Sequence, residues 1–314
     1  MLDKLSLILK SSSKITIEPE YRRFHVSPLK YGSVKGRIAY FFMALLNVRD
    51  VISMTQQNVS RLEHLVEKNP EAIPSVFWPY QCSNWSTSNR LEYLHNHFQT
   101  LPELDYQFTC QEHHKRTIAC LDGIYPGMSL VVDRNGHFLR EGMIVLNLFV
   151  DQERVFTLAF SVYKDKCNSI GAIVGAIQGR RMKHITDLYR DITKTTYGIR
   201  PRDLMIEVFQ VLCRVVGIEK IYAVTESFRQ HRHYFYMLKD KDSHLSLNYD
   251  EVWSQRGGVK CSEEFFELPV MPERKPLDRI IAKKRSMYRK RYSLLEKLEQ
   301  DILNGIISSA CQTV

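Results

Sequence analysis

The stretch "IGAIVGAIQGRR", Ile170 to Arg181, runs apolar for eight residues and then breaks into Gln-Gly-Arg-Arg. A run of small and β-branched residues of this length, free of charge, reads as a strand buried on both faces. Such a strand needs neighbours on either side and a covering layer, so the flanking segments decide the fold. Upstream, "MIVLNLFV" (Met143 to Val150) and "RVFTLAFSVYK" (Arg154 to Lys164) are β-type runs joined by Asp151-Gln152-Glu153. Before them, "SLVVD" leads into Asn135-Gly136, a two-residue hairpin signal. An antiparallel meander is expected. Downstream, "HITDLYRDITKTTYG" is helical and stops at Gly198. A second helix, "DLMIEVFQVLCRVVG", follows Pro201 and ends at Gly217, and "KIYAVTES" is the next strand. Strand, helices, strand implies a crossover that lays "IYAVTE" parallel to a sheet neighbour. The expected class is α/β with a mixed sheet.

The first hundred residues are helical and aromatic in pattern. "SVKGRIAYFFMALLNVRDVISMTQQ" reads as one helix capped by Ser33, with further helices at Val59 to Lys68 and Thr87 to Leu101. We therefore expect a helical N-terminal subdomain over 1–104 and an α/β domain over 105–314. The apolar window Ile38 to Val48 is too short to span a bilayer and reads as core; its flanking cations also suit a helix lying on an anionic membrane. Near the C-terminus come "NYDEVWSQRGG", the short strand "EFFELPV", a connector with Pro269, Pro272 and Pro276, and a long helix.

Composition sets the bounds. The chain has 314 residues, 44% hydrophobic and 25% charged, enough to bury a sizeable core. Its net charge of +9 points to acidic partners: nucleic acid, anionic lipid, an acidic carrier protein or a phosphorylated cofactor. Seven dispersed cysteines, with no Cys-x-x-Cys pair, argue against a secreted disulfide framework and for a cytoplasmic protein. No Gly-x-Ser-x-Gly elbow and no phosphate-cradling Gly-x-x-x-x-Gly-Lys is present, which disfavours a hydrolase of that type and a nucleotide hydrolase. Cys110, His113, His114 and Cys120 are metal-binding types, but their spacing fits no common zinc site.

The segments "GAIQGRR", "YGIRPRDLM", "NYDEVWSQRGG", "FFELPV" and "AKKRSMYRKRYSLLEKL" occur in the order and spacing of the VirK/YbjX family, and the chain resembles that family from about Tyr31 to Leu298. Tyr197 and Ile199 stand where relatives commonly carry His and Leu. The resemblance implies a Gram-negative protein associated with the cell envelope, virulence and tolerance of antimicrobial peptides. It implies no established reaction or cofactor.

The order of elements is also similar to the acyl-transferring N-acetyltransferase (GNAT) architecture. There the loop after the fourth strand holds a pantetheine pyrophosphate. Gln178, Gly179, Arg180 and Arg181 sit at the matching junction, and arginines at a helix start suit an anion. Only Gln178 and Gly179 echo that fold's loop pattern. The expected reading is an acyltransferase taking its donor from acyl-coenzyme A or an acyl carrier protein, with Glu226 or His231 as base and Tyr236 as acid. Glu226 also reads as a helix cap, and the tyrosines also read as core. A splayed gap between adjacent central strands would favour the enzyme; a sheet closed there by ladder bonds, with Glu226 in a capping bond, would sink it. Lys283, Lys284, Arg285, Arg289, Lys290 and Arg291, with no acid among them, are expected to dock the acidic carrier or the inner membrane face. The alternative is a non-catalytic basic adaptor or regulator on an anionic membrane or nucleic acid.

Overall fold

The computed structural model describes residues 47–104, 115–134, 137–180, 182–233 and 247–311, together with Ser6. Among the described residues eight strands, in chain order β1 (Arg116–Cys120), β2 (Met128–Asp133), β3 (Ile144–Val150), β4 (Glu153–Lys164), β5 (Ile170–Gly179), β6 (Lys220–Val224), β7 (Val259–Lys260) and β8 (Phe265–Leu268), form one sheet with the spatial order β1-β2-β3-β4-β5-β6-β8-β7. Strands β1 to β5 are the antiparallel meander, and β6 runs parallel to β5. Residues Gly171 to Ile177 of β5 are buried throughout, as the opening stretch requires.

Local chemistry sets the joints. Asp151 and Gln152, with φ of 47° and 68°, make a tight turn in the left-handed region between β3 and β4, the geometry that matches strand twist in a two-residue hairpin. The turn expected at Asn135-Gly136 lies outside the described residues; the strands on either side pair antiparallel, β2 ending at Asp133 and β3 beginning at Ile144. Before β3, buried Phe138 packs with Val145, Ala159 and Ala176.

Helices α1 (Val48–Ser53), α2 (Gln56–Lys68), α3 (Ile73–Phe77) and α4 (Thr87–Thr100) precede the sheet. The start of the helix expected from Ser33 falls outside the described residues; the described part of that stretch is helical over Val48–Ser53 only, ending short of Gln57. Thr55 is extended and accepts the Asn58 N–H on its hydroxyl at 3.3 Å, so a new helix starts there. Helix α4 completes the far end of β4, which has no β3 partner past Phe160. His97 Nδ1 accepts the Val162 N–H at 3.2 Å, and the Asn96 amide bonds both the N–H and C=O of Lys164, at 2.8 and 2.9 Å.

The crossover from β5 to β6 holds α5 (Ile185–Thr195) and α6 (Pro201–Val215). Tyr197 and Gly198, both at positive φ, end the first, and Pro201 opens the second. Helix α6 lies on the sheet face that carries Phe160, whose ring sits 4.8 Å from that of Phe209. Helix α7 (Tyr249–Gln255) is capped by Asn248. Helix α8 (Ala282–Cys311) closes over β1: a Cβ on Gly305 would fall 1.9 Å from the Ile118 carbonyl oxygen, so only glycine allows that approach. One buried cluster runs from Val51 to Ile306.

Candidate functional site

Strand β5 outruns β6. Their ladder ends at Val174 and Ala223, while β5 continues to Gly179. A side chain replaces the missing strand: the Tyr249 hydroxyl accepts the Ile177 N–H at 2.8 Å and donates to the Ile177 carbonyl at 3.0 Å.

Beyond this gap a cleft of about 1030 Å³ opens between the end of β5 and helices α5, α6 and α8. Its apolar lining includes Phe156, Ile177, Tyr189, Leu247 and Met287. Six cations, Arg180, Arg190, Lys194, Arg200, Arg202 and Arg229, line it, and no carboxylate does among the described residues. Five have acidic neighbours: Arg180 with Glu153, Arg190 with Asp187 (2.7 Å), Lys194 with Asp191 (2.9 Å), Arg202 with Asp203 (2.8 Å) and Arg229 with Glu226 (3.1 Å). Arg200 is exposed and, among the described residues, has no partner. Pairs at the surface are weak, so such cations are readily turned to a polyanion. The first turn of α5 contributes Thr186 to the wall and has no side-chain cap, which adds the positive end of a helix.

The residues singled out in the sequence fall as follows. Gln178, Gly179 and Arg180 line the cleft; Arg181 lies outside the described residues. Gly179 has a packing reason: a Cβ there would stand 2.3 Å from the Tyr189 hydroxyl and 3.0 Å from Phe156 Cε2. That hydroxyl donates to the Val155 carbonyl at 2.9 Å.

Glu226 starts a short 3-10 turn after β6 and caps α7. Its Oε2 accepts the Tyr249 N–H at 3.2 Å, and its carboxylate pairs with Arg229 and Arg232 at 3.1 and 2.5 Å. Burial works against ionisation, but Arg232, Arg229 and the Tyr249 amide outweigh it and hold the group below the ordinary carboxylate range. This is the capping bond that the sequence weighed against a base. On the other side, β6 ends at Val224 while β5 runs on, and the Tyr249 hydroxyl closes that edge at Ile177.

His231 is pushed down to about 4, first by burial and then by Arg229 and Arg232. Its Nε2 is buried with no partner among the described residues. Tyr236 lies outside the described residues. Cys120 is exposed, while Cys110, His113 and His114 lie outside the described residues, and no metal-binding cluster occurs among the described ones.

Sequence reasoning missed most of the cleft. Arg190 and Lys194 are four apart on α5, and Arg200 and Arg202 flank Pro201, so a basic-face signal was there to be read. Glu141 gave no signal. Burial pushes its carboxyl up to about 7 against the pull of Arg140, Gln230 and Arg229, and its Oε1 accepts from Gln230 Nε2 at 3.3 Å.

The basic run of α8 divides. Arg291 donates twice to the Tyr197 carbonyl, at 3.1 and 2.7 Å, and Arg285 donates to the carbonyls of Ile280 and Asp278. Lys283, Lys284, Arg289 and Lys290 are exposed. No described helix is long and apolar enough to cross a membrane.

A mixed, mostly antiparallel sheet with helices, and a cationic, apolar-floored cleft at the end of its parallel pair, define an α/β protein. The chain belongs to the family described as "Protein of unknown function (DUF535)", whose model matches residues 30–304. It is 25% identical over 253 residues to the uncharacterized protein YbjX of Escherichia coli K12, covering 76% of this chain and 73% of that one, which agrees with the VirK/YbjX resemblance. Two uncharacterized proteins of Haemophilus influenzae are each 27% identical, one over 181 residues and one over 224. The first match spans 57% of this chain and 58% of the relative; the second spans 69% and 72%. No solved structure matches.

Proposed function

We propose that the cleft at the end of β5 holds an acyl thioester of phosphopantetheine, delivered as acyl-coenzyme A or on an acyl carrier protein, and that the protein transfers the acyl group to an amine or hydroxyl. The observation that carries this reading is the pairing, among the described residues, of an apolar floor with six cations and no carboxylate in one cleft. An acyl chain needs the first, and the phosphates need the second. The cleft also lies at the end of the parallel β5–β6 pair, after an antiparallel meander, and that element order is what the GNAT-like reading rests on.

In the transfer the acceptor attacks the thioester carbonyl. The new bond to nitrogen or oxygen forms, the C–S bond breaks, the acceptor loses a proton and the thiolate takes one up. His231 is uncharged at neutral pH and its buried Nε2 has no partner among the described residues, so it is the base we favour; Glu141, pushed up to about 7 by burial against the pull of Arg229, a cleft residue, is the next group in line. Tyr236 is the proposed acid. In this scheme Glu226 positions Arg229 and Arg232 instead of taking the proton, because two guanidiniums already hold its charge.

A second reading rests on α8. Its exposed Lys283, Lys284, Arg289 and Lys290 neighbour Ile281, which is 73% exposed. Cations beside an exposed aliphatic side chain suit the face of an anionic membrane or an acidic carrier. That surface serves either as the enzyme's docking site or as the whole function of a basic adaptor. A cytoplasmic location, peripheral to the inner membrane, and the envelope, virulence and peptide-tolerance roles implied by the family resemblance belong to the same proposal.

The test is thiol release from an acyl-coenzyme A series in the presence of a primary amine. Release that saturates with the thioester and is lost in His231→Ala supports the transferase. No release together with binding to anionic vesicles, lost when the four exposed α8 cations are replaced, supports the adaptor.

A further inference from the structure

The end of β5 borders a second chamber on the opposite face of the sheet. Adjacent residues of a strand face opposite ways. Phe156 accordingly enters the large cleft, while Thr157, opposite Gln178 in the ladder, enters a chamber of about 550 Å³. The two cavities share only Gln178, Gly179 and Arg180 among their described lining residues.

The floor of this chamber is built around Arg154. Its guanidinium lies 5.6 Å from the ring centres of both Phe138 and Phe149, and it pairs with Asp133 at 2.6 Å. Asp133 is fixed in turn by Asn147, whose amide nitrogen bonds Asp133 Oδ1 and the carbonyls of Val131 and Val145, and whose oxygen accepts from Thr157. Asn147 is fully buried and spends its hydrogen bonds entirely on holding this frame.

A closed polar network inside a sheet face costs stability unless every group is satisfied. Here it is satisfied up to one atom: Arg154 Nε is buried and has no partner among the described residues. Lys115 stands at the same wall, 4.8 Å over the Phe149 ring. Two cations, one preorganised with an unused donor, between two aromatic rings form a receptor for one oxyanion.

We propose that this chamber binds a carboxylate or phosphate through Arg154 and Lys115, and that this oxyanion belongs to the acceptor of the acyl group. Oxyanion binding stands by itself; the role as acceptor chamber rests on the proposed transfer. Placing donor and acceptor on opposite faces lets them meet at Gln178 to Arg180, where the strand edge is uncovered.

The test is the side-chain Nε–H signal of Arg154 in nitrogen-resolved NMR of the full chain, assigned by its loss in Arg154→Gln. Inorganic phosphate and acetate are titrated separately at constant ionic strength, and the tighter of the two identifies the oxyanion. A saturable shift is expected, weakened about ten-fold in Lys115→Ala by loss of a charged partner and unchanged in Arg200→Ala, which alters only the large cleft. If Arg154→Gln does not fold because Asp133 is left unpaired, Asp133→Asn with Arg154→Gln supplies the assignment. An Arg154 signal that neither anion moves, or an equal loss in Lys115→Ala and Arg200→Ala, overturns the proposal. A saturable shift in a protein that binds no acyl thioester keeps the chamber and rejects the transfer.

Discussion

Tyr249 stands in for a strand: its hydroxyl bonds both backbone groups of Ile177, at 2.8 and 3.0 Å, where β5 has run past the end of β6. Tyr249 is wholly buried, and the Arg229 guanidinium stacks 3.6 Å over its ring. The tyrosine thus closes the sheet on one side and seats a cation of the cleft on the other. Tyr249→Phe leaves the ring and removes both bonds. We expect a loss of about 1–3 kcal/mol, the cost of unpaired buried polar groups, read as a lower urea midpoint at unchanged slope. A variant as stable as the wild type would mean that solvent or another group satisfies Ile177.

Gly179 and Tyr189 form a second coupled pair. A methyl at Gly179 would overlap the Tyr189 hydroxyl at 2.3 Å, so Gly179→Ala is expected to cost about 1–3 kcal/mol through overpacking. Tyr189→Phe removes the atom in the way, and the double variant should recover part of the loss. Strict additivity in a double-mutant cycle would contradict the contact.

The pH response of stability has two opposed parts. His97 is buried, and burial with help from Arg134 pushes it from its ordinary 6.5 to about 3. A folded value below the unfolded one favours the fold above pH 6.5, and that contribution disappears as pH falls through about 3. His97→Asn should be less stable at pH 7 yet lose less on acidification; an acid limb identical to that of the wild type would clear His97.

Glu141 works the other way. Its folded value of about 7 exceeds the ordinary 4.5, so its contribution is present below 4.5 and lost as pH rises through 7. Glu141→Gln should gain on the order of 1–3 kcal/mol at pH 8. In the proposed transferase the same change should also lower thiol release. A gain in stability with full activity would remove Glu141 from the scheme.

The cations of α8 should separate by role. Arg291→Ala takes two bonds from the Tyr197 carbonyl and should destabilise by roughly 1–2 kcal/mol. Replacing exposed Lys283, Lys284, Arg289 and Lys290 together should leave the melting temperature within about two degrees, since exposed substitutions are close to neutral. It should nonetheless abolish salt-sensitive binding to anionic vesicles. Unchanged vesicle binding would rule that face out.

What the sequence disclosed, and what it hid, follows from the range of the interactions. The β3–β4 turn, the stop at Gly198, the start at Pro201 and the buried run of β5 are set by residues within a few positions of one another, and they are legible. The return of Phe138 onto Val145 and Ala176 depends on packing across strands, and nothing near Asn135-Gly136 in sequence announces it. Glu226 shows the same limit at the site. Nothing next to it in sequence reveals that the N–H of Tyr249, 23 residues on, needs its carboxylate. The six cations of the cleft come from the end of β5, from α5, from the start of α6 and its N-cap, and from the turn after β6. Only the crossover brings them together.

The central claim is that this cleft binds the phosphates and chain of an acyl thioester. The direct measurement is calorimetric titration of the full chain with a long-chain acyl-coenzyme A, for the wild type and for Arg190→Ala combined with Arg200→Ala. We predict one site per chain, weakened at least ten-fold in the double variant, since each lost charge-assisted contact is worth about 1.5–3 kcal/mol. No binding, or equal binding by both proteins, would contradict it.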